Sequence, residues 1–400
     1  MDNIVANNIE LAKEAIKRKV RATYATLKKR VVDRGLCIEC GKCVALCDVL
    51  DWDKERRRPK LVGKCIACGL CYYQCPKSQK SPLGEFKDAY VTKSTVDEIH
   101  GQDGGTVSTI VLHLLETDQI DAAILTKQDP NKPWHPLPFI ATSREDVLSA
   151  AGTIYSHSPI IPVLVDAINQ GHKRLAVVST SCKINAIKEL EDEGGILHGV
   201  EGASIFKIGL FCSESFIPEK LLAFVGTRVE PKDIQKMRIS SGTLWVHMSE
   251  GKETFGLTTY ANEFHECTKK SCLNCHDLTA EGADLSVGNI GSSSKKNTVL
   301  VRTERGKDIL NACDNAGIIE IQGATKENLR PLMELAWLKK DRGIIRDEIP
   351  EIPGRFKKHV PSTWNVDEYD FTPIVKQELY KRVPYTPRKI NEIPSGPKVL

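Results

Sequence analysis

Two cysteine runs of one spacing dominate the sequence: Cys37-x-x-Cys40-x-x-Cys43-x-x-x-Cys47, then Cys65-x-x-Cys68-x-x-Cys71-x-x-x-Cys75-Pro76. Three closely spaced thiolates wrap three irons of a [4Fe-4S] cube, and the fourth cysteine of each run reaches the other cube. The expected partition is Cys37, Cys40, Cys43 and Cys75 on one cluster, and Cys65, Cys68, Cys71 and Cys47 on the other. Paired CxxC units also make tetrahedral zinc sites, but eight cysteines exceed what one zinc needs. Gly41 and Gly69 are expected to relieve crowding where backbone amides approach sulfur. Asp48 stands where the second run has Pro76, with the ligands themselves intact.

Fourteen cysteines in 400 residues ask for a metal explanation, because structural disulfides are disfavoured in a reducing compartment. Residues 1–30 mix acidic and basic side chains and lack the apolar core of a secretory signal, so a cytoplasmic location is expected. No apolar run approaches the ~18–20 residues that span a bilayer, which argues against an integral membrane protein. Net charge is only +4, with both signs interleaved, and gives little support to nucleic-acid binding. The basic stretches 13–30, 54–60, 269–270 and 295–296 read as solvated faces or loops.

Patterning divides the chain into four parts. Residues 1–34 form a helical N-terminal arm, with Ile9, Leu11, Ala12, Ile16 and Val20 at helical spacing. Residues 35–82, dense in Cys and Gly and poor in apolar mass, form a metal-stapled ferredoxin-like domain. Residues 83–339 form an α/β domain. Within it helices are expected over 107–115, 160–168 (Pro162 in the first turn) and 309–316. Strands are expected over 122–126, 175–180 and 205–211, the last two running straight into cysteine-bearing turns, and a strand, polar loop and strand over 285–302. Residues 340–400, rich in Pro and charge, form an extended arm without a core. The fold class is α+β: a two-cluster ferredoxin-like domain followed by an α/β domain, flanked by two arms.

Cys182 and Cys212 lie past predicted strand ends, and loops at the carboxyl ends of parallel strands converge. With Cys272 and Cys275 they form a candidate third cluster site; the alternative is that Cys182 and Cys212 are ordinary buried thiols. Cys267 and Cys313 read as plain core or surface residues. The turn Gly101-Gln-Asp-Gly-Gly-Thr106 precedes a helix and suits an anionic phosphate at the positive helix end, although Asp103 could equally cap that helix.

Gly101-Gln-Asp-Gly-Gly-Thr, Thr180-Ser-Cys-Lys, Ile208-Gly-Leu-Phe-Cys-Ser-Glu, Cys272-Leu-Asn-Cys-His-Asp and Ala283-Asp-Leu-Ser-Val-Gly, running on to Thr298-Val-Leu-Val-Arg-Thr, resemble the family of β subunits of coenzyme F420 hydrogenases and dehydrogenases. The resemblance spans roughly residues 35–320. It implies FAD in the α/β domain, with Gln102, Gly104, Gly105, Thr106, Ser108, Lys183, Asn289, Ser292 and Asn297 near the flavin or its phosphates. It also implies a third [4Fe-4S] cluster on Cys182, Cys212, Cys272 and Cys275, and the 5-deazaflavin coenzyme F420 as substrate. No side chain is expected to act as acid or nucleophile. Ser294-Lys295-Lys296-Asn297 departs from a Gly-Trp pair frequent in the family, and Lys295 and Lys296 offer charge for the coenzyme's anionic tail. Within the family the two-cluster domain and the length favour the β subunit of an F420-linked formate dehydrogenase. The alternatives are the input subunits of F420-reducing hydrogenase and F420H2 dehydrogenase, or a flavin-free ferredoxin-type carrier. Expected partners are the catalytic subunit of formate dehydrogenase or hydrogenase and heterodisulfide reductase-type electron-transfer subunits.

Overall fold

The computed structural model describes residues 22–77, 86–99, 101–191, 203–227, 229–240, 242–248, 254–259 and 262–348. Most of the predicted N-terminal arm and most of the C-terminal arm lie outside the described residues. The strands, in chain order, are β1 (Leu50–Asp53), β2 (Arg58–Leu61), β3 (Asp88–Ser94), β4 (Ala122–Asp129), β5 (Lys132–Ala141), β6 (Arg174–Thr180), β7 (Ser204–Leu210), β8 (Ile234–Ser240), β9 (Thr243–Met248), β10 (Phe255–Thr258), β11 (Leu285–Gly288), β12 (Asn297–Val301) and β13 (Ile319–Gly323).

An eight-stranded sheet in the order β13-β3-β12-β11-β7-β6-β4-β5 organises the α/β part. Its centre, β11, β7, β6 and β4, is parallel, and the flanks are antiparallel. Both faces of the centre are covered, which the side chains show by alternation. Ala122, Ile124, Leu175, Val177 and Ile205 enter one core cluster, while Ala123, Leu125, Ala176, Phe206 and Ile208 enter the other. Strands buried on both sides read as continuous apolar runs, which is why these strands were visible in the sequence. Strand β5 carries Pro133, Pro136 and Pro138 and forms the edge of the sheet, where a missing N–H is tolerated.

The cysteine-rich part does not form a separate core. Ile38, Cys40, Leu46 and Leu70 pack into the same cluster as Ile160, Ile161 and Leu164, and Ile161 N donates to the Cys40 carbonyl at 3.2 Å. The helix Tyr24–Leu27 and the π-turn Lys28–Val32 that follows it cover the other side through Leu27 and Val31. The two runs repeat one backbone. Gly41 (φ 80°) and Gly69 (φ 76°) are left-handed N-caps of the short helices Lys42–Ala45 and Leu70–Tyr73, and Glu39 and Ala67 share positive φ values of 56° and 58°. The glycines are needed for this left-handed turn. At Gly41 there is a second reason, since a Cβ would sit 2.5 Å from Pro162 Cδ.

Two sequence readings change. Cys182 does not lie in a turn: it falls in the first turn of the helix Ser181–Glu191, which starts directly after β6. The helix Lys326–Glu348 runs through the expected boundary at residue 340, because its apolar residues Leu329, Leu332, Met333 and Ala336 dock on Phe86, Leu278 and Leu300 and carry the helix onward.

Candidate functional site

Electrostatic contacts between thiols sort the eight N-terminal cysteines. Cys40 and Cys75 act on Cys37; Cys37, Cys40, Cys75 and, more weakly, Cys71 act on Cys43; Cys40 acts on Cys75. Cys47, Cys68 and Cys65 act on Cys71, and Cys68 and Cys65 act on Cys47. The structure thus brings together Cys37, Cys40, Cys43 and Cys75, and separately Cys47, Cys65, Cys68 and Cys71. Each set takes its fourth thiol from the other run. Burial, with neighbouring thiols adding, pushes Cys37, Cys71 and Cys75 up to about 12. The cause is desolvation of the thiolate, the penalty that a bound cation removes. The second set lines a small depression open to solvent, together with Tyr24 and Ile66. Ile66 is 73 % exposed, so this is the outer set.

A third thiol set gathers beyond the carboxyl ends of β6 and β7. Cys182 and Cys275 act on Cys212, and Cys212 and Cys275 act on Cys272. Strand β7 ends in an arch held by Phe211 N to the Val287 carbonyl (2.9 Å) and Cys212 N to the Leu278 carbonyl (2.8 Å). Ser215 N donates to Cys272 Sγ at 3.3 Å. Burial pushes Cys272 up to about 12. Burial also works to raise Cys275, but Lys339 and Lys77 outweigh it and bring that thiol below its ordinary value. Cys267 and Cys313 are buried core residues. Among the described residues no three His, Cys, Asp or Glu side chains close on a point that a single metal ion could occupy.

The first and third sets are neighbours, and Cys182 acts on Cys40. Buried charge joins them. Glu39, 1 % exposed, pairs with Arg57 at 2.6 Å and with Lys269, while Arg57 Nη2 donates to the His157 carbonyl at 2.5 Å. His157 Nδ1 meets the Lys183 ammonium, and its Nε2 lies 3.6 Å from Cys272 Sγ. Burial and the nearby cations Lys183 and Arg57 hold His157 well below its usual range, so the ring is neutral. Arg57 and Lys269, read from sequence as solvated, are therefore largely covered ion-pair partners of a buried carboxylate. No pattern signalled His157 or Glu39, because their partners are far away in sequence.

The glycine-rich turn is tied to Asn297. Gly104 has no room for a Cβ, which would sit 2.6 Å from Asn297 Oδ1, and that oxygen accepts from Thr106 N at 3.3 Å. Thr106 Oγ1 and Thr92 Oγ1 are 2.8 Å apart. Asp103 does not cap the helix, whose first N–H goes to Asn297, and pairs instead with Arg238 of β8 at 2.8 Å. Gln102 Nε2 donates to Tyr155 Oη and to the Met237 carbonyl at 3.3 and 3.4 Å. Around this turn three buried polar atoms, Gln102 Oε1, Arg238 Nε and Thr298 Oγ1, have no hydrogen-bond partner. Such atoms can accept a polar ligand or ordered water. Ser292 closes the neighbouring loop by donating to the carbonyls of Asn289 and Lys296. Ser108 lies in the first turn of the helix Thr106–Glu116. Lys183, expected near the flavin, instead meets His157 Nδ1 and acts on the thiols Cys37 and Cys212. Sequence reasoning missed Arg238 and Tyr155, which come from a small sheet and a loop with no motif.

Comparison with known proteins places these features. Models of the N- and C-terminal parts of the coenzyme F420 hydrogenase/dehydrogenase beta subunit match residues 89–165 and 172–327, and a 4Fe-4S dicluster domain matches residues 29–76. The chain is 32 % identical to the coenzyme F420 hydrogenase subunit beta of Methanococcus voltae over 65 % of this chain and 94 % of that one. It is 30 % identical to the coenzyme F420-dependent sulfite reductase of Methanocaldococcus jannaschii over 78 % of this chain, spanning only about half (50 %) of that protein's length. A subunit of the F(420)H(2) dehydrogenase of Methanosarcina mazei is 29 % identical over 69 % of this chain and 82 % of its own. Among solved structures, the F420-reducing [NiFe] hydrogenase complex from Methanosarcina barkeri contains a chain with a TM-score of 0.62 and 29 % identity, covering 67 % of this chain and 95 % of that one.

Proposed function

The chain belongs to the family of coenzyme F420 hydrogenase/dehydrogenase beta subunits, and we propose on that premise that it is an iron-sulfur flavoprotein subunit of an F420-dependent oxidoreductase complex. Such a subunit would bind FAD to take up hydride from, or return it to, coenzyme F420, and its three thiol sets would hold [4Fe-4S] clusters that could carry single electrons to or from a partner chain. Bound FAD supplies the conversion between two-electron and one-electron chemistry. The chain contributes no acid, base or nucleophile; it holds, spaces and insulates. Gln102, Gly104, Gly105, Thr106, Ser108 and the loop Asn289, Ser292 and Asn297 hold the flavin, and Arg238 completes the turn. Cys37, Cys40, Cys43 and Cys75 hold one cluster, Cys47, Cys65, Cys68 and Cys71 the outer one, and Cys182, Cys212, Cys272 and Cys275 the third.

The observation that carries this reading is the interleaved thiol partition with the third set against it. Cys182 acts on Cys40, and Cys71 on Cys43, so the sets follow one another in the order third, first, outer. The partner that the relatives favour is a hydrogenase-type catalytic subunit. A formate dehydrogenase partner draws no support from the relatives named above. Among the described residues no helix is long and apolar enough to cross a membrane.

The test uses anaerobically purified full-length chain mixed with reduced coenzyme F420 and a viologen dye, with iron and FAD assayed in the same preparation. Dye reduction with about twelve irons and one FAD per chain supports the reading. About eight irons, no flavin and no turnover would make the chain a two-cluster carrier.

A further inference from the structure

Positive charge is distributed unevenly over the three thiol sets. Lys339, 5 % exposed, reaches in from the last described helix and donates to the Cys212 carbonyl. Lys77 Nζ donates to the Asn274 carbonyl at 3.2 Å, between Cys272 and Cys275. Lys183, 1 % exposed, follows Cys182 directly and meets His157. Lys339 and Lys77 both act on Cys275, and Lys339 and Lys183 on Cys212. The outer set differs: besides other thiols, the charge acting on Cys47 is the Asp48 carboxylate. The first set is intermediate: Lys269 and Lys42, which act on Cys37 and Cys40, are paired with Glu39 and Glu189, and Lys183 acts on both of these thiols as well as on Cys212.

A four-thiolate [4Fe-4S] cluster gains one negative charge when it accepts an electron. A fixed cation nearby stabilises the reduced state more than the oxidised one, and burial strengthens the effect. Resting on the ligand assignment above, we propose that Lys77 and Lys339 hold the third cluster at the highest reduction potential in the chain, with the outer cluster lowest. An electron entering at the outer cluster then runs downhill to the cluster nearest the α/β domain. Lys77 and Lys339 both lie outside the matched segments 29–76, 89–165 and 172–327.

The test is an EPR-monitored redox titration of the anaerobic full-length chain as wild type, Lys339→Met, Lys339→Arg and Lys77→Gln. Cys275→Ala identifies which midpoint belongs to the third cluster. The third midpoint is expected to be the highest. It should fall in Lys339→Met and Lys77→Gln by about tenfold in the oxidised-to-reduced ratio, roughly 59 mV for one electron. It should be held by Lys339→Arg, and the other two midpoints should stay in place. Unmoved midpoints in both charge-removing variants, an equal shift of all three, or a third midpoint that is not the highest would overturn the proposal. A wild-type chain with only two clusters would overturn the ligand assignment instead, and the lysine proposal with it.

Discussion

Replacing Glu39 with Gln strips the counter-charge from two cations at the junction of the cysteine domain and the sheet. The carboxylate is 1 % exposed and accepts from Arg57 Nε at 2.9 Å, from Arg57 Nη2 at 2.6 Å and from Lys269. Arg57 and Lys269 are themselves only 13 % and 20 % exposed. Breaking a buried pair by removing one partner costs about 3–5 kcal/mol, and the residual exposure of the cations puts the loss near the low end, about 3 kcal/mol. At about 1.4 kcal/mol per tenfold, the population opened at this junction rises by roughly 100-fold. Anaerobic amide hydrogen exchange on peptides covering residues 35–47 and 264–275 reads that population directly. Glu39→Gln/Lys269→Met should regain part of the protection, because the stranded cation is gone. Exchange in Glu39→Gln within about threefold of wild type would show that the pair does not hold the junction.

Gly104→Ala forces Asn297 away from the turn, since the new Cβ would lie 2.6 Å from its Oδ1 and 2.9 Å from its N. At about 2 kcal/mol of overpacking, FAD should bind roughly 30-fold more weakly while iron content stays at the wild-type level; parallel loss of iron would refute the separation of the two sites. Burial raises Tyr155 to about 12. Its folded value lies above the unfolded one of about 10, so its stabilising contribution is full below pH 10 and is lost as pH rises towards 12. The stability difference between wild type and Tyr155→Phe should therefore be flat up to pH 10 and shrink above it in denaturant titrations. A difference that widens with pH would contradict the assignment.

Local chemistry was legible where it repeats at short range. The two runs marked a dicluster segment by spacing alone, and the parallel core strands announced themselves as apolar runs. The hairpin β1–β2 was not legible because Asp51, Trp52, Asp53 and the basic stretch after it carry no apolar alternation. Strand β5 was hidden by its three prolines, which only an edge position tolerates. The third thiol set could not be assembled from spacing, because Cys182 and Cys212 follow two different strands and Cys272 and Cys275 come from a short helix and its end much later in the chain. Lys77, Lys339 and His157 around it were invisible for the same reason, burial being a property of the packed chain and Lys339 lying far along the chain from Cys212, while Lys183 was read as a flavin contact.

The relay itself is tested most directly by rapid mixing of the anaerobic full-length chain with reduced coenzyme F420, followed by optical and freeze-quench EPR detection. Flavin bleaching should come first, and signals of reduced [4Fe-4S] clusters should follow it. In Cys68→Ala, flavin bleaching should persist while the outer-cluster signal and electron delivery to the partner are lost. Cluster reduction without any flavin signal, or loss of flavin bleaching in Cys68→Ala, would contradict the relay.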